Sequence, residues 1–443
     1  MMEALACLLF GGAIFGGGML QSRQRMKGWQ EAAAACGLQF VESSSALNRQ
    51  LKARAGPVEV RIESSGQKER PTWIVARAPT PPDFHMVILR PEAPLRKVRE
   101  IEIGDPPFDS AFVIQGPGLL VSALLDGETR RLMSRANGLC RMEVSDGELK
   151  AFLAADEQVP VVLPLLLDLV RRFGRPLDIR QRLVENARED PAPGVRLHNL
   201  LLLLRELPKD PRTDEAIQAA RSDPSPEVRL RIAKEMGFRD TLLALAKGLR
   251  VDTVSAEAVS LLGRGLPFER TRDILERALS GHHHQTARAC LEAIGNGGDA
   301  AAVEVLAKVL EQGGAELAPA AARALGAIGS PAAEPSLIQA LQRDDPDVRV
   351  AAATALGRAG TVAAVPALKE AVERSRLDRD LHRAARQAIA EIQSRAHGAS
   401  PGQLSLAGAE AGQLSLAEAE AGELSIAEDP AGELSLPPEE HPA

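Results

Sequence analysis

The chain is 443 residues long, enough for two or three domains. Its net charge of −7 comes from its end: from His397 onward there are nine Asp/Glu and no Lys/Arg, which leaves 53 basic against 51 acidic residues over 1–396. Residues 176–396 balance at 31 basic and 31 acidic and hold only two aromatics, Phe238 and Phe268, which argues against a phosphate-binding face and against base stacking.

Ala4 to Leu20 is a run of 17 residues without a charge. As a helix it would span about 25 Å, the short end for crossing a bilayer, and its five glycines weaken it. Glu3 precedes the run and Arg23, Arg25 and Lys27 follow it, the reverse of a secretory signal. Leu5-Ala6-Cys7 is no lipobox, because the apolar run follows the cysteine. Residues 1–27 therefore read as a single-pass anchor with its basic flank, in the inner (cytoplasmic) membrane, with the body facing the cytoplasm. The alternative is a soluble cytoplasmic protein. Cys7, Cys36, Cys140 and Cys290 lie far apart and form no Cys-x-x-Cys pair, so buried thiols are expected in place of a disulfide framework or a zinc site. Arg outnumbers Lys, Ala is abundant and Tyr is absent, the usage of a GC-rich bacterial genome.

Residues 28–155 read as a mixed α+β domain with a mostly antiparallel sheet. Trp29–Phe40 is an amphipathic helix ending near Gly37. Period-two or short apolar segments then predict strands at Val58–Glu63, Trp73–Ala76, Phe84–Arg90, Val98–Ile103 and Ala111–Gln115. Helices follow at Leu119–Leu125 and Glu128–Ala136, then strands at Arg141–Val144 and Leu149–Leu153. In Gly104-Asp105-Pro106-Pro107-Phe108-Asp109 the two aspartates shape a turn by accepting from nearby N–H groups, and Phe108 enters the core. A bound cation between them is the weaker reading.

Residues 156–396 read as stacked helices. Val159–Phe173 is too short for a second membrane span and is a buried helix. Leu200–Leu204 lies in another, bracketed by Arg196 and Arg205. His282-His283-His284 point in different directions on a helix and start one in solvent, so they hold no metal. The clearest element begins at Asp345-Pro346-Asp347-Val348-Arg349. Asp345 is a good N-cap, Pro346 suits the first turn, and Val348, Ala352, Ala355 and Leu356 share a face. A second, short helix follows from Val362 to about Glu373. Earlier copies run from Asp223-Pro224 to Met236-Gly237, from Thr286 to Gly295, and from Ala320 to Gly326. Gly295, Gly326 and Gly357 are 31 apart, which marks an α-solenoid of helix pairs. Alanines let the helices approach, and the glycines are expected to end each first helix so that the chain can reverse.

The Asp-Pro-x-Val-Arg starts and Ala-x-x-Ala-Leu-Gly centres resemble HEAT repeats, in particular the short bacterial type named from phycobilin lyases. The resemblance covers about residues 176–396. It implies that Arg229, Arg323 and Arg349 are structural. Residues 28–155 resemble an uncharacterised domain that follows a short membrane segment in bacterial proteins. HEAT-type hydroxylases carry His-Glu pairs for iron, and no His-Glu dipeptide occurs here.

The tail, 397–443, is acidic and reads as disordered. It repeats every ten residues as Gly-x-Leu-Ser-Leu, with Ile in the third copy. Its apolar pairs Leu404/Leu406, Leu414/Leu416, Leu424/Ile426 and Leu434/Leu436 share a face when extended, and are candidate partner-binding residues. Four weak copies on one tether would raise apparent affinity. The competing reading is a duplicated solubilising tail with no partner.

No Ser/His/Asp set, phosphate-binding glycine loop or metal spacing emerges, so no catalytic, cofactor or metal residue is assigned. The leading reading is a membrane-tethered scaffold or adaptor that binds another protein through its solenoid. The alternatives are a lyase-like or cofactor-handling repeat protein and, disfavoured by charge, a nucleic-acid binder.

Overall fold

The computed structural model describes residues 23–43, 50–64, 72–80, 86–89, 100–145, 147–375, 377–397, 404–405 and 415–416. The chain forms two compact units, Met1–Val254 and Ser255–Ala443.

The first unit opens on helix α1, residues 23–35, which places Trp29 in the core at 2% exposure. An antiparallel sheet follows: β1 (Gln39–Ser43), β2 (Gln50–Ala55), β3 (Val58–Ser64), β4 (Thr72–Arg77), β5 (Val87–Leu89), β6 (Val113–Gln115), β7 (Arg141–Ser145) and β8 (Glu148–Leu153). The strand order is β1-β2-β3-β4-β8-β7-β5-β6. Burial alternates along β2 and β3, as one covered face requires. Leu51, Val60, Ile62, Ile74 and Leu149 form that face, and α5 (Val159–Phe173) lies on it with Val162, Leu166 and Phe173.

Three expectations need correction. Phe40 belongs to β1, because Gly37 turns the chain out of α1 at φ +73. Ala111 ends helix α2 (Pro106–Ala111) and does not start a strand. Residues 100–103 are not a strand: Ile101 donates one backbone bond to Ile114 (2.9 Å) and no ladder continues it. Residues 84, 85 and 90 of the expected strand Phe84–Arg90 and residues 98 and 99 of Val98–Ile103 lie outside the described residues, as does the run 4–20.

Helices α3 (Gly118–Leu124) and α4 (Gly127–Asn137) interrupt the sheet. Ala123 of α3 joins a second core with Leu183, Leu200, Leu203, Ile217 and Ile232. Those come from α6 (Ile179–Glu189), α7 (Pro193–Glu206), α8 (Pro211–Ala220) and α9 (Pro226–Met236), with α10 (Arg239–Gly248) packed on α9. α11 (Asp252–Leu262) contains the division between the units.

The second unit is a regular stack. Its helices are α12 (Phe268–Ser280), α13 (His284–Gly297), α14 (Val303–Gln312), α15 (Ala318–Ile328), α16 (Glu334–Ala340), α17 (Pro346–Ala359), α18 (Val365–Arg374) and α19 (Arg379–His397). α13, α15, α17 and α19 stack in that order, and α14, α16 and α18 pack beside them. Asp345 caps α17 by accepting from Asp347 N–H (2.9 Å) and Val348 N–H (3.4 Å), with Pro346 in the first turn.

The glycines of the 31-residue period do not end the helices. Gly295, Gly326 and Gly357 lie inside α13, α15 and α17 and mark where the next helix touches. A Cβ on Gly295 would stand 2.8 Å from Ala324 Cα, and one on Gly326 2.7 Å from Ala355 Cα. On Gly357 it would stand 3.1 Å from Ala388 Cα. The helices end three residues later. Gly298 and Gly329 adopt φ +70, a left-handed cap that a β-carbon strains, and Gly360 is extended. The chain is thus an antiparallel sheet region followed by a HEAT-like helical solenoid.

Candidate functional site

In the first unit the most buried charges form a ladder. Arg130 on α4 is 4% exposed and grips Asp190 in a bidentate pair, both bonds 2.8 Å, while its Nε donates to Asp105 at 2.7 Å. Arg196 on α7 repeats the geometry with Asp223, again 2.8 Å twice, and also donates to the Asp190 carbonyl at 2.7 Å. Arg229 on α9 donates to the carbonyls of Asp223 and Pro224. Burial alone would pull the Arg130 guanidinium down; its bonds to Asp190 and Asp105 more than offset this and hold it above its ordinary value. The Asp223 bond does the same for Arg196 against its burial.

The 104–109 motif is the joint that feeds this ladder. Asp109 accepts from the N–H groups of Ile103 (3.1 Å), Gly104 (3.0 Å) and Asp105 (2.9 Å), and Phe108 is 2% exposed. Asp105 does not share that turn role; it is a ligand of Arg130. Gly104 meets Gly194 backbone to backbone, so a Cβ on either would fall within 2.4 Å of the other's carbonyl oxygen. With its carboxylate spent on three N–H groups, Asp109 is a structural acceptor. A cleft of about 1030 Å³ opens beside this joint, between α4 and α6, lined among others by Asp126, Arg131, Arg182 and Glu189. A polar pair stands apart from the ladder: the Oγ of buried Ser122 on α3 lies 2.9 Å from Nε2 of half-buried His198 on α7. Burial pushes the His198 imidazole below its ordinary value, partly opposed by Asp109 and assisted by Arg205.

In the second unit Arg349 closes the same type of link. It donates to the carbonyls of Arg343 (3.0 Å) and Asp344 (2.7 Å) and to Asp378 at 3.3 Å. Asp378 is held below the usual carboxylate range, first by the Leu381 N–H and then by Arg349. Arg323 differs from Arg229 and Arg349. It is exposed on α15, and adding the 31-residue period places it against Thr354, not Arg349.

Two adjoining grooves run along α12, α14 and α16. The first, about 590 Å³, has an apolar floor of Leu275, Leu279, Val305 and Val309. The second, about 430 Å³, lies between α14 and α16. They share Glu304 and Lys308, both exposed on α14, as a charged ridge. Sequence reading missed these positions, although Val305 and Val309 at i, i+4 beside Lys308 are the mark of a half-buried helix face.

Among the tail candidates, only Leu404 and Leu416 fall on described residues. They belong to two short strands, β9 (Leu404–Ser405) and β10 (Ser415–Leu416), which pair antiparallel with Leu404 opposite Leu416 and Ser405 opposite Ser415. Leu406, Leu414, Leu424, Ile426, Leu434 and Leu436 lie outside the described residues. The histidine run starts α13, as its pattern implies: His282 is exposed at φ +58 and His284 Nδ1 lies 3.1 Å from Glu316. Among the described residues no group of side chains is placed to hold a metal ion. Cys140 and Cys290 are buried thiols outside any disulfide and Cys36 is half-buried; burial raises the Cys36 thiol and pushes Cys290 up to about 12. Cys7 is outside the described residues. No helix among the described residues is long and apolar enough to cross a membrane.

Known proteins are similar to this chain in its repeats. A family model described as HEAT repeats matches residues 315–390. No curated protein matches. Among solved structures, human deoxyhypusine hydroxylase in complex with glycerol aligns at 18% identity over 48% of this chain and 95% of its own, with a TM-score of 0.22. Two engineered proteins from a structural genomics consortium align at 21% and 18% identity. The first covers 45% of this chain and 97% of its own, with a TM-score of 0.29. The second covers 62% and 84%, with a TM-score of 0.30. Residues 315–390, from the start of α15 into α19, thus match HEAT repeats in sequence.

Proposed function

We propose that the chain is a membrane-tethered scaffold that binds a protein partner on its solenoid. The observation that supports this reading best is the pair of adjoining grooves on α12, α14 and α16, apolar at the floor and charged along the Glu304/Lys308 ridge. A desolvated apolar floor with a polar rim is the anatomy of a protein-binding patch. In this reading residues 1–27 are the anchor and flank, 28–155 the α+β domain, 156–396 the solenoid and 397–443 the tail. The apolar run 4–20 and the three basic residues after it support an inner-membrane position with the body in the cytoplasm. The Leu-Ser-Leu repeats are a second, weaker contact that adds avidity.

The test is affinity purification from detergent-solubilised cells with mass spectrometry. The full chain, a Val305→Asp/Lys308→Glu variant and a chain ending at His397 are compared. A partner lost in the groove variant and retained on truncation supports the solenoid as the main site. A partner retained by the groove variant overturns it. Separately, the protein recovered in the supernatant after high-speed centrifugation would overturn the anchor.

A further inference from the structure

α19 is the last helix of the stack. It packs on α17 and α18 through Leu381, Ala385, Ala388 and Ile392, which recur at i, i+4, i+7 and i+11. The face opposite carries Arg379, Arg383 and Arg386, all exposed, at i, i+4 and i+7. Asp380 pairs with Arg383 at 2.6 Å, which leaves this face with an excess of two positive charges. A terminal solenoid helix needs a polar outer face, but a run of arginines of one sign goes beyond that need. The chain that leaves α19 is its electrostatic complement: beyond His397 come nine Asp/Glu and no Lys/Arg, eight of them from Glu418 to Glu440.

We propose that the acidic tail, residues 418–440, docks in cis on the Arg379/Arg383/Arg386 face of α19. Arg379 lies about 27 Å back along the helix from His397 at 1.5 Å per residue. The 20 residues from 398 to 417 reach about 65 Å when fully extended. With β9 and β10 kept paired, the remaining seven and two residue steps still reach about 30 Å. The tether therefore reaches the whole stripe, and the effective concentration of a short tether favours many weak ion pairs that would fail singly. Arg–carboxylate pairs of this kind are exposed, so docking is released by salt. The inference does not depend on the tail having an outside partner.

The test uses the full chain in detergent, with fluorophores coupled through azidophenylalanine at Thr354, exposed on α17, and at Ser435. Energy transfer is read at 50 and 500 mM NaCl. The expected result is transfer that falls at least twofold at the higher salt. It should be low and salt-independent in an Arg379→Glu/Arg383→Glu/Arg386→Glu variant. The same loss is expected when the nine tail acids are changed to Gln, which leaves the folded body untouched. Combining the three Arg→Glu changes with the nine acids changed to Lys restores transfer. Transfer that is insensitive to salt, or equal in the wild type and the tail-Gln chain, overturns the proposal.

Discussion

A glycine inside a helix ordinarily costs about 1 kcal/mol relative to alanine. Gly326 should show the opposite sign, because its missing Cβ is what lets Ala355 of α17 approach α15. Overpacking at a rigid backbone contact costs about 1–3 kcal/mol, so Gly326→Ala is expected to lower unfolding stability by about 1–2 kcal/mol net. Gly297→Ala, with nothing within 4 Å of the added carbon, should be neutral or slightly stabilising. Urea denaturation of the two variants decides this; equal midpoints would refute the close-approach role. His198 makes a second prediction at this scale. Burial depresses its folded-state pKa, so as pH falls through about 6.5 the unfolded chain takes up the proton first. Stability is intact above that pH and declines below it until the folded-state pKa is reached. His198→Gln should lose less stability than the wild type between pH 7.5 and 5.5, read from urea midpoints at both.

At the scale of elements, the ladder ties the sheet region to its first helical repeats. Truncating one member of a buried charge pair costs about 3–5 kcal/mol when the other charge is left unpaired. Asp190→Ala strips Arg130 of its bidentate partner but leaves its Asp105 bond, so a loss at the lower end of that range is expected by chemical denaturation, and Asp190→Ala/Arg130→Met should recover part of it. A full loss retained in the double variant would show that the cost is packing and not the stranded guanidinium. The ladder was only half legible in the sequence. Asp190-Pro-x-Pro-x-Val-Arg196 repeats 33 residues later as Asp223-Pro-x-Pro-x-Val-Arg229, a signal strong enough to place α7 and α9 as equivalent helices. That Arg130, 60 residues upstream and on a helix beside the sheet, starts the series has no local mark, because only tertiary packing brings α4 to Asp190. Strands show the same limit. β3, β7 and β8 alternate large apolar with polar residues and were readable. β2 alternates mainly alanines with charges, and β1 exposes neighbouring Phe40 and Val41 at the sheet edge, so neither gives a clean period-two signal. The 31-residue glycine spacing was legible, but its cause was not. A glycine at a helix end and one at a helix contact look alike until the neighbouring helix is placed.

Over the second unit, α13, α15, α17 and α19 pack each on the next in order, with α14, α16 and α18 against their sides. In such a stack stability approximates a sum of repeat terms and nearest-neighbour interface terms. A defect at one interface should therefore loosen its two helices most and fade with distance along the stack. Gly326→Ala strikes the α15/α17 interface alone. Hydrogen exchange read by mass spectrometry is expected to show the largest loss of protection in α15 and α17, a smaller one in α13 and α19, and none in β3 and β4. Equal loss across all four helices would mean that the unit opens as one cooperative block. In that case its surface grooves could not be tuned repeat by repeat, because a change on α14 would reach α18 as readily as α16. Graded loss would mean that each groove reports on its own pair of repeats, the property that lets a solenoid scaffold present separate binding surfaces from one continuous core.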